Sequence, residues 1–194
     1  MVCARSPHNP GTRMKLPRFA LDLLKKKLMP LSADLPDEII GPGYRWRKNS
    51  GQPPGHLHKP FLRRWFIIPK NRWCNIYLHQ FMRDDEDRAL HDHPWWNVSI
   101  LLIGQYIEVT AGFLGEDRKL YTAGDMKFRS PTYAHRIELV RTRLTGHKRT
   151  KAQRKRGQPS WSLFITGPVR RIWGFHCPGG WRDQREFHER GGCE

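Results

Sequence analysis

Short apolar runs with turn residues between them occupy the chain from Phe61 onward and predict an all-β domain. Trp73–Met82 is one such run, and on a strand it places Tyr77, His79 and Phe81 on one face and Ile76 and Leu78 on the other. Many short strands at such spacing are typical of a sandwich or barrel. The other predicted strands are Arg64–Ile68, Val98–Thr110, Met126–Phe128, Ala134–Val140, Trp161–Thr166 and Arg170–Phe175.

Residues 1–60 lack this pattern and are predicted to form an N-terminal basic arm. Pro17–Met29 predicts one short helix, because its apolar residues recur near helical spacing and Pro30 stops it. Gly41–Gly55 is rich in glycine, proline and charge and is interpreted as a loop. The chain is therefore divided into this arm and a β domain over 61–190.

Composition agrees with one domain in a chain of 194 residues, of which 38% are hydrophobic. The 35 Lys and Arg against 18 Asp and Glu give a net charge of +17, which points to an anionic partner. Much of that charge lies outside the predicted strands, in the arm and in a basic insertion at 141–157. The net charge therefore does not indicate the chemistry of the β core. Nucleic acid is an expected partner only through the insertion and the arm.

Four cysteines without a CxxC pair indicate neither a disulfide framework nor a cysteine-rich zinc site. No run of about 18 apolar residues and no signal peptide are found, so no membrane segment is expected. A reducing cytoplasm is the predicted compartment. The apolar content allows a homodimer, although no residue requires one.

Three histidines form the most informative pattern in the chain. His91 and His93 are separated by one residue, so on a strand their imidazoles project to the same side. His135 follows a Gly-Asp turn and begins another predicted strand. Three neutral imidazoles on adjacent strands would hold one divalent transition metal and leave positions open for substrate or oxygen.

On these residues the sequence resembles the cupin superfamily. Gly104 falls where the glycine that closes the first cupin motif is expected, and Gly124 and His135 have the spacing of the second. More narrowly, the run from Trp65 to Trp181, about 60% of the chain, resembles uncharacterised cupin-like proteins of bacterial and phage genomes. The runs that carry this likeness are Tyr77–Phe81 (YLHQF), His91–Trp95 (HDHPW), His135–Leu139 (HRIEL), Leu163–Pro168 (LFITGP) and Trp173–Pro178 (WGFHCP).

The resemblance implies a single cupin-type β-barrel, or jelly roll, with the N-terminal arm attached. The sequence also departs from the cupin pattern at three positions. Asp85 stands in place of the first glycine, Asn97 in place of the usual glutamate ligand, and Leu139 in place of the last asparagine. Asparagine binds transition metals poorly, so a three-histidine site is predicted. Such a site resembles that of the thiol dioxygenases, which use Fe(II); zinc, manganese and nickel are the alternatives.

Two further residues are predicted to act beside the metal. His79 would lie next to the ion as a proton shuttle or an extra ligand if its strand face looks into the barrel, and a packed core histidine is the alternative. Arg129 could reach a carboxylate or phosphate of the substrate. Arg136 is expected on the opposite face from His135, in an ion pair, and the neighbouring His176 and Cys177 are expected to pack structurally.

Two hypotheses of different class follow. The first is a metal-dependent enzyme acting on a small molecule, most plausibly an Fe(II) dioxygenase-like oxidoreductase. The second is a non-enzymatic cupin module that binds nucleic acid or a protein through its basic loop and arm. The fold does not decide between them, because cupins host isomerases, decarboxylases and binding proteins as well.

Overall fold

A computed structural model describes residues 13–41, 44–51, 60–85, 89–141 and 157–193. The basic insertion lies almost entirely outside the described residues. In the part of the chain that is described, no helix is long and apolar enough to cross a membrane. The helices are α1 (Arg18–Leu28) and α2 (Gln184–Glu189), and the strands are β1 (Arg13–Lys15), β2 (Glu38–Gly41), β3 (Tyr44–Arg47), β4 (Leu62–Phe66), β5 (Asn75–Phe81), β6 (Leu90–His91), β7 (Asn97–Ile103), β8 (Gln105–Ala111), β9 (Glu116–Thr122), β10 (Asp125–Arg129), β11 (Arg136–Leu139), β12 (Ser160–Thr166), β13 (Gly174–Cys177) and β14 (Gly180–Asp183).

Antiparallel pairing organises the strands into two layers. The larger layer is an eight-stranded sheet in the order β1-β10-β7-β12-β5-β4-β2-β3. The second contains the sheets β11-β8-β9 and β14-β13-β6, which a two-way backbone bridge between His91 and His135 joins. Leu101 of β7 packs against Tyr106, Tyr121 and Ile137 of the second layer, so the layers share an interior. The predicted all-β barrel of the jelly-roll type is confirmed.

The two faces of the large sheet differ in chemistry. Its outer face packs with α1 into an apolar core around Leu21, Trp65 and Leu163, each less than a tenth exposed. Burial of this core supplies the hydrophobic stabilisation that a buried polar interior cannot. The inner face carries buried polar side chains at alternating positions of the same strands: Glu38, His79, Asn97, Ser99, Lys127, Arg129, Ser160, Ser162 and Thr166.

The N-terminal segment contributes more to the sheet than the sequence analysis predicted. The helix is confirmed at Arg18–Leu28. The interpretation of Gly41–Gly55 as a loop is wrong for its first part, because β3 is a strand there and β2 pairs with β4 of the barrel. The domain boundary at residue 60 stays a prediction. Strands β2 and β3, which precede it, belong to the same sheet as the barrel strands that follow it. β9 and β14 were also missed, since exposed charged residues fill most of β9.

Gly104 allows a sharp turn between two neighbouring strands of the barrel. It lies in the turn between β7 and β8 with a φ of +87°, a left-handed value that favours glycine. A Cβ at this position would lie 2.8 Å from the carbonyl oxygen of Pro159. The register of β12 against β7 shifts beside this turn, between Trp161 and Ser162.

A disulfide joins Cys177 and Cys193, whose Cα atoms are 5.3 Å apart. The expectation that cysteine spacing indicates no disulfide is therefore wrong for this pair. Sequence spacing could not show it, because the pairing depends on α2 folding back until Phe187 stacks on Phe175. Disulfides are typical of oxidising compartments, so the cysteines give no support to a cytoplasmic location, which stays a prediction.

Glu38 is a buried acidic centre for the first strands of the large sheet. Its carboxylate, 1% exposed, accepts from Arg45 at 2.8 Å and from Arg64 at 2.9 Å. Burial alone would raise the pKa of this carboxyl, but the two guanidinium groups outweigh that effect and hold the pKa below its ordinary value. The ion pairs therefore tie β2, β3 and β4 together.

We expect Glu38→Gln to lower the free energy of unfolding by about 3–5 kcal/mol, because it leaves the mostly buried Arg64 without its counter-charge. Urea unfolding followed by tryptophan fluorescence measures this, with Glu189→Gln on the exposed face of α2 as the control. The stabilisation by ionised Glu38 is present at neutral pH and is lost as the pH falls through the folded-state pKa, so the difference from wild type should narrow in acid. Equal stability of both variants at pH 7 would contradict this role.

Candidate metal centre

The three predicted histidines converge at one end of the barrel. His91 ends β6, and its backbone bonds in both directions to that of His135 at 2.9 Å. His93 lies beyond the strand, where its backbone N–H donates to the carbonyl of Pro131 at 3.1 Å. Only His91 is therefore in a strand, and backbone contacts to the chain around His135 bring His93 to the same point.

The spacing of the imidazoles suits a single metal ion. One nitrogen from each ring lies within 4.8 Å of the others, and the Nε2 atoms of His93 and His135 are 2.9 Å apart. Two imidazole nitrogens bound at right angles to one ion would be roughly 3.0 Å apart, given metal–nitrogen bonds of about 2.1 Å. Among the described residues, these three histidines are the one group of three or more histidine, cysteine or acidic side chains whose ligand atoms lie this close together.

Glu108 of β8 orients one of these rings. Its Oε1 atom accepts from Nδ1 of His135 at 2.9 Å, and the carboxylate is 1% exposed. An ionised carboxylate can only accept, so the proton of the neutral ring sits on Nδ1 and the lone pair on Nε2 faces His93. Carboxylates that hold the second ring nitrogen in this way fix metal-binding histidines in many proteins.

The same carboxylate also binds two buried cations. Arg129 donates its Nε to Glu108 at 2.8 Å, and Lys127 donates Nζ to Glu108 and to the hydroxyl of Tyr133. Burial alone would raise the pKa of Glu108, but Arg129, His135 and Lys127 hold it well below its usual value. Burial lowers the pKa of Lys127 to about 8. Glu108, Lys127 and Tyr133 were not predicted from the sequence. The alternation of residues along β8 is the signal that could have placed Glu108 on the inner face.

Burial keeps the three imidazoles neutral at physiological pH. It lowers the pKa of His91 and of His135 to about 4, and Arg129 acts in the same direction on both. Burial and the neighbouring histidines lower the pKa of His93 well below its usual value. Neutral imidazole is the form that binds metal ions. These rings therefore do not have to lose the proton of an imidazolium before a cation binds.

Asp92, between the two histidines of the HxH run, points away from the centre and anchors it. Its Oδ1 accepts the backbone N–H of Gly174 at 2.9 Å, and Oδ2 accepts Nε1 of Trp181 at 3.0 Å. Arg171 completes an ion pair with the same carboxylate at 2.6 Å. The hairpin β13–β14 therefore holds the histidine-bearing segment in place. This also accounts for the family-like run around Trp173–Pro178, in which Cys177 is structural as predicted.

The other predicted site residues occupy the barrel interior. Arg129 is 1% exposed, and besides Glu108 it donates to Asn97 and to Tyr106, each at 3.3 Å. Asn97, at the position of the usual glutamate ligand, thus pairs with an arginine and is not in the three-histidine group. Arg136 forms the predicted ion pairs, with Glu116 and Glu138.

His79 lies on the inner face of β5, stacked on Phe164 with ring centroids 4.8 Å apart. It is 2% exposed and is not part of the three-histidine group. Its catalytic role stays a prediction, as does that of Arg129 toward a substrate. A second HxH pair in the sequence, His56 and His58, lies outside the described residues.

Solved structures to which this chain is similar are cupin or double-stranded β-helix proteins, as the resemblance predicted. An uncharacterised protein with a double-stranded β-helix domain from Klebsiella pneumoniae is 12% identical over 64% of this chain and 88% of its own, with a TM-score of 0.41. An RmlC-like cupin from Shewanella frigidimarina is 20% identical over 57% and 78%, with a TM-score of 0.39. Bacillus subtilis oxalate decarboxylase is 15% identical over 68% of this chain and 32% of its own, with a TM-score of 0.40.

These likenesses concern the fold alone, and the narrower likeness to phage proteins has no support from them. No protein-family model and no curated protein sequence matches the chain.

We expect His135 in the metal-free protein to be neutral at pH 6, with its proton on Nδ1, because Glu108 accepts that proton and burial disfavours the cation. Long-range proton–nitrogen NMR of the ring identifies the tautomer directly. In Glu108→Gln the preference for Nδ1–H should weaken, whereas Glu116→Gln on the surface should leave the pattern unchanged. A doubly protonated ring at pH 6, or a proton on Nε2, would contradict the geometry.

Proposed function

We propose that this chain is a metal-dependent cupin enzyme that acts on an anionic small molecule, and that His91, His93 and His135 hold the metal. The observation that carries the proposal is the convergence of three neutral imidazole nitrogens, one of them oriented by a buried carboxylate. Structural histidines have no need to bring three ring nitrogens to one point, whereas a divalent cation requires it.

The bound metal would supply Lewis-acid and redox chemistry to the substrate, and a three-ligand site would leave coordination positions open. The chain's own residues do the rest. Glu108 holds the ring of His135 and keeps Arg129 and Lys127 beside the centre. Trp95 stacks near the ring of His93, with centroids 6.0 Å apart.

The charge around the centre favours an anionic substrate. Arg129 and Lys127 bring two positive charges against the single negative charge of Glu108, while the histidines are neutral. A divalent cation would add to this excess, because Asn97 stands where a glutamate ligand would have reduced it. An anion that enters the pocket therefore gains attraction in a region of low dielectric constant, where such attraction is strong.

Fe(II) is the metal that we propose, and an O2-dependent oxidation the reaction. Support comes from the ligand set, since three imidazoles without a carboxylate resemble the site of the thiol dioxygenases. Zinc, manganese and nickel also accept imidazole ligands, so the measured metal decides between redox and Lewis-acid chemistry.

The net charge of +17 favours a second candidate function, in which the arm and the basic insertion bind nucleic acid and the metal is structural or absent. The two proposals separate experimentally. Nucleic-acid binding would weaken steeply with salt and with deletion of 141–157, yet would survive His135→Ala.

We expect protein purified without oxygen and without a histidine tag to contain close to one equivalent of iron. His91→Ala should lose that metal, because two imidazoles hold a divalent ion far more weakly than three. His188→Ala, an exposed histidine on α2, is the matched control and should retain the metal. Elemental analysis beside a circular dichroism spectrum of each variant makes the measurement.

A protein that contains no metal, even after anaerobic reconstitution, would contradict the proposal. Stoichiometric zinc, manganese or nickel would still support a metal-dependent enzyme but would contradict the proposed iron- and O2-dependent oxidation. With iron bound, oxygen consumption should appear with some members of a panel of organic acids and be absent from His135→Ala.

A further inference from the structure

A row of polar side chains crosses the inner face of the large sheet, away from the three histidines. The strand register sets Glu38 opposite Arg64, Arg64 opposite His79, and His79 opposite Ser162, on β2, β4, β5 and β12. Arg64 donates Nη1 to Glu38 and Nε to Nε2 of His79, both at 2.9 Å. The row thus leads from a buried carboxylate to the ring of His79.

This bond fixes which nitrogen of His79 carries the proton. A guanidinium has donors only, so Nε2 of His79 must be the acceptor and the neutral ring is protonated on Nδ1. Burial and the charge of Arg64 hold the pKa of His79 well below its usual value, so the ring stays neutral. The Nδ1–H group has no hydrogen-bond partner among the described residues, although the side chain is 2% exposed.

Ser162 presents a second such group beside it. Its hydroxyl is buried without a partner, the residue is 1% exposed, and it lies directly across from His79 on the neighbouring strand. Side chains of directly opposed residues have Cβ atoms about 4.5–5.5 Å apart. An imidazole N–H and a hydroxyl therefore stand side by side in the interior, and a buried donor without an acceptor destabilises the fold.

The same surplus of donors extends through the barrel. Six buried side-chain atoms lack a partner in the described chain, and every one of them can donate: Nδ1 of His79, Nε1 of Trp95, Nδ2 of Asn97 and the hydroxyls of Tyr121, Ser160 and Ser162. Three of them, the nitrogens, can only donate. The interior is therefore complementary to a molecule rich in hydrogen-bond acceptors.

We propose that His79 and Ser162 form a subsite for a carboxylate of the substrate, and that the substrate is a small dicarboxylate or a related acid with two acceptor ends. Two neutral donors match the two oxygens of one carboxylate, whereas a phosphate would offer more oxygens and more charge than this pair can satisfy. The Glu38–Arg64 pair acts as a positioning element, because it fixes the tautomer of His79.

The subsite and the three-histidine centre belong to one interior. His79 and Ser162 lie on the same inner face of the large sheet as Arg129, which donates to Glu108, and Glu108 in turn accepts from His135. The inference rests on the proposed function in one respect, since the second end of the acid would lie at the metal. The excess positive charge of Arg129 and Lys127 at that end favours the same class of molecule.

Acetate, malonate, succinate and glutarate serve as probes of this subsite, titrated calorimetrically into the metal-loaded full-length protein. We expect one of the dicarboxylates to bind at least tenfold more tightly than acetate, because it reaches both ends. Ser162→Ala should reduce that affinity about tenfold and leave unchanged the affinity for acetate, whose single carboxylate would lie at the metal. The matched control is Ser99→Ala, a buried serine on the inner face of β7 that lies opposite Phe164 and is not among the unpaired donors.

Dicarboxylates that bind no more tightly than acetate, or an equal loss in Ser99→Ala, would overturn the subsite while leaving the metal site intact. NMR of metal-free wild-type protein makes a second test that needs neither variant nor metal. The Nδ1–H resonance of His79 should be present and should shift when the preferred dicarboxylate is added. A proton found on Nε2, or no shift at saturation, would overturn the inference, and a shift in a protein that takes no metal would refute the proposed function alone.

Discussion

One buried carboxylate, that of Glu108, holds the candidate centre together. It accepts from His135, Arg129 and Lys127 at once. Arg129 and Lys127 lie on β10, and His135 directly precedes β11. A charge of this kind is tolerated inside a protein only when it is fully paired. The position of the His135 ring and the excess of positive charge around it therefore follow from the same ion pairs. Loss of Glu108 would leave two cations buried and one histidine free to turn.

A polar interior of this extent requires stability from elsewhere. The large sheet obtains it on its outer face, where α1 covers a core built around Leu21, Trp65 and Leu163. Alternation along each strand makes the arrangement possible, since neighbouring residues enter opposite environments. In β12, for example, Leu163 enters the apolar core while Ser162 faces the interior. Fold stability and site chemistry are thus separated on the two faces of one sheet.

Alternation also explains how much of the molecule could be predicted from the sequence. It placed Tyr77, His79 and Phe81 on one face of β5, and the HxH spacing with His135 identified the three converging rings. The partners of those rings come from strands distant in sequence, so no local pattern indicated that Glu108 would bond to His135 or Arg64 to His79. The disulfide and the strands at residues 38–47 escaped for the same reason, because each depends on long-range packing. Ile39, Ile40, Tyr44 and Trp46 favour strands, but the glycines, prolines and charges of 41–55 favoured a loop interpretation.

X-ray absorption spectroscopy of the metal-loaded protein tests the central claim most directly. The account predicts an ion bound by three imidazole nitrogens, with light oxygen or nitrogen ligands from solvent at the remaining positions. In Glu108→Gln the imidazole signal should become weaker or more disordered, because the ring of His135 loses its orientation. A carboxylate in the first coordination sphere, sulfur ligation, or a spectrum that is unchanged in His135→Ala would contradict the account.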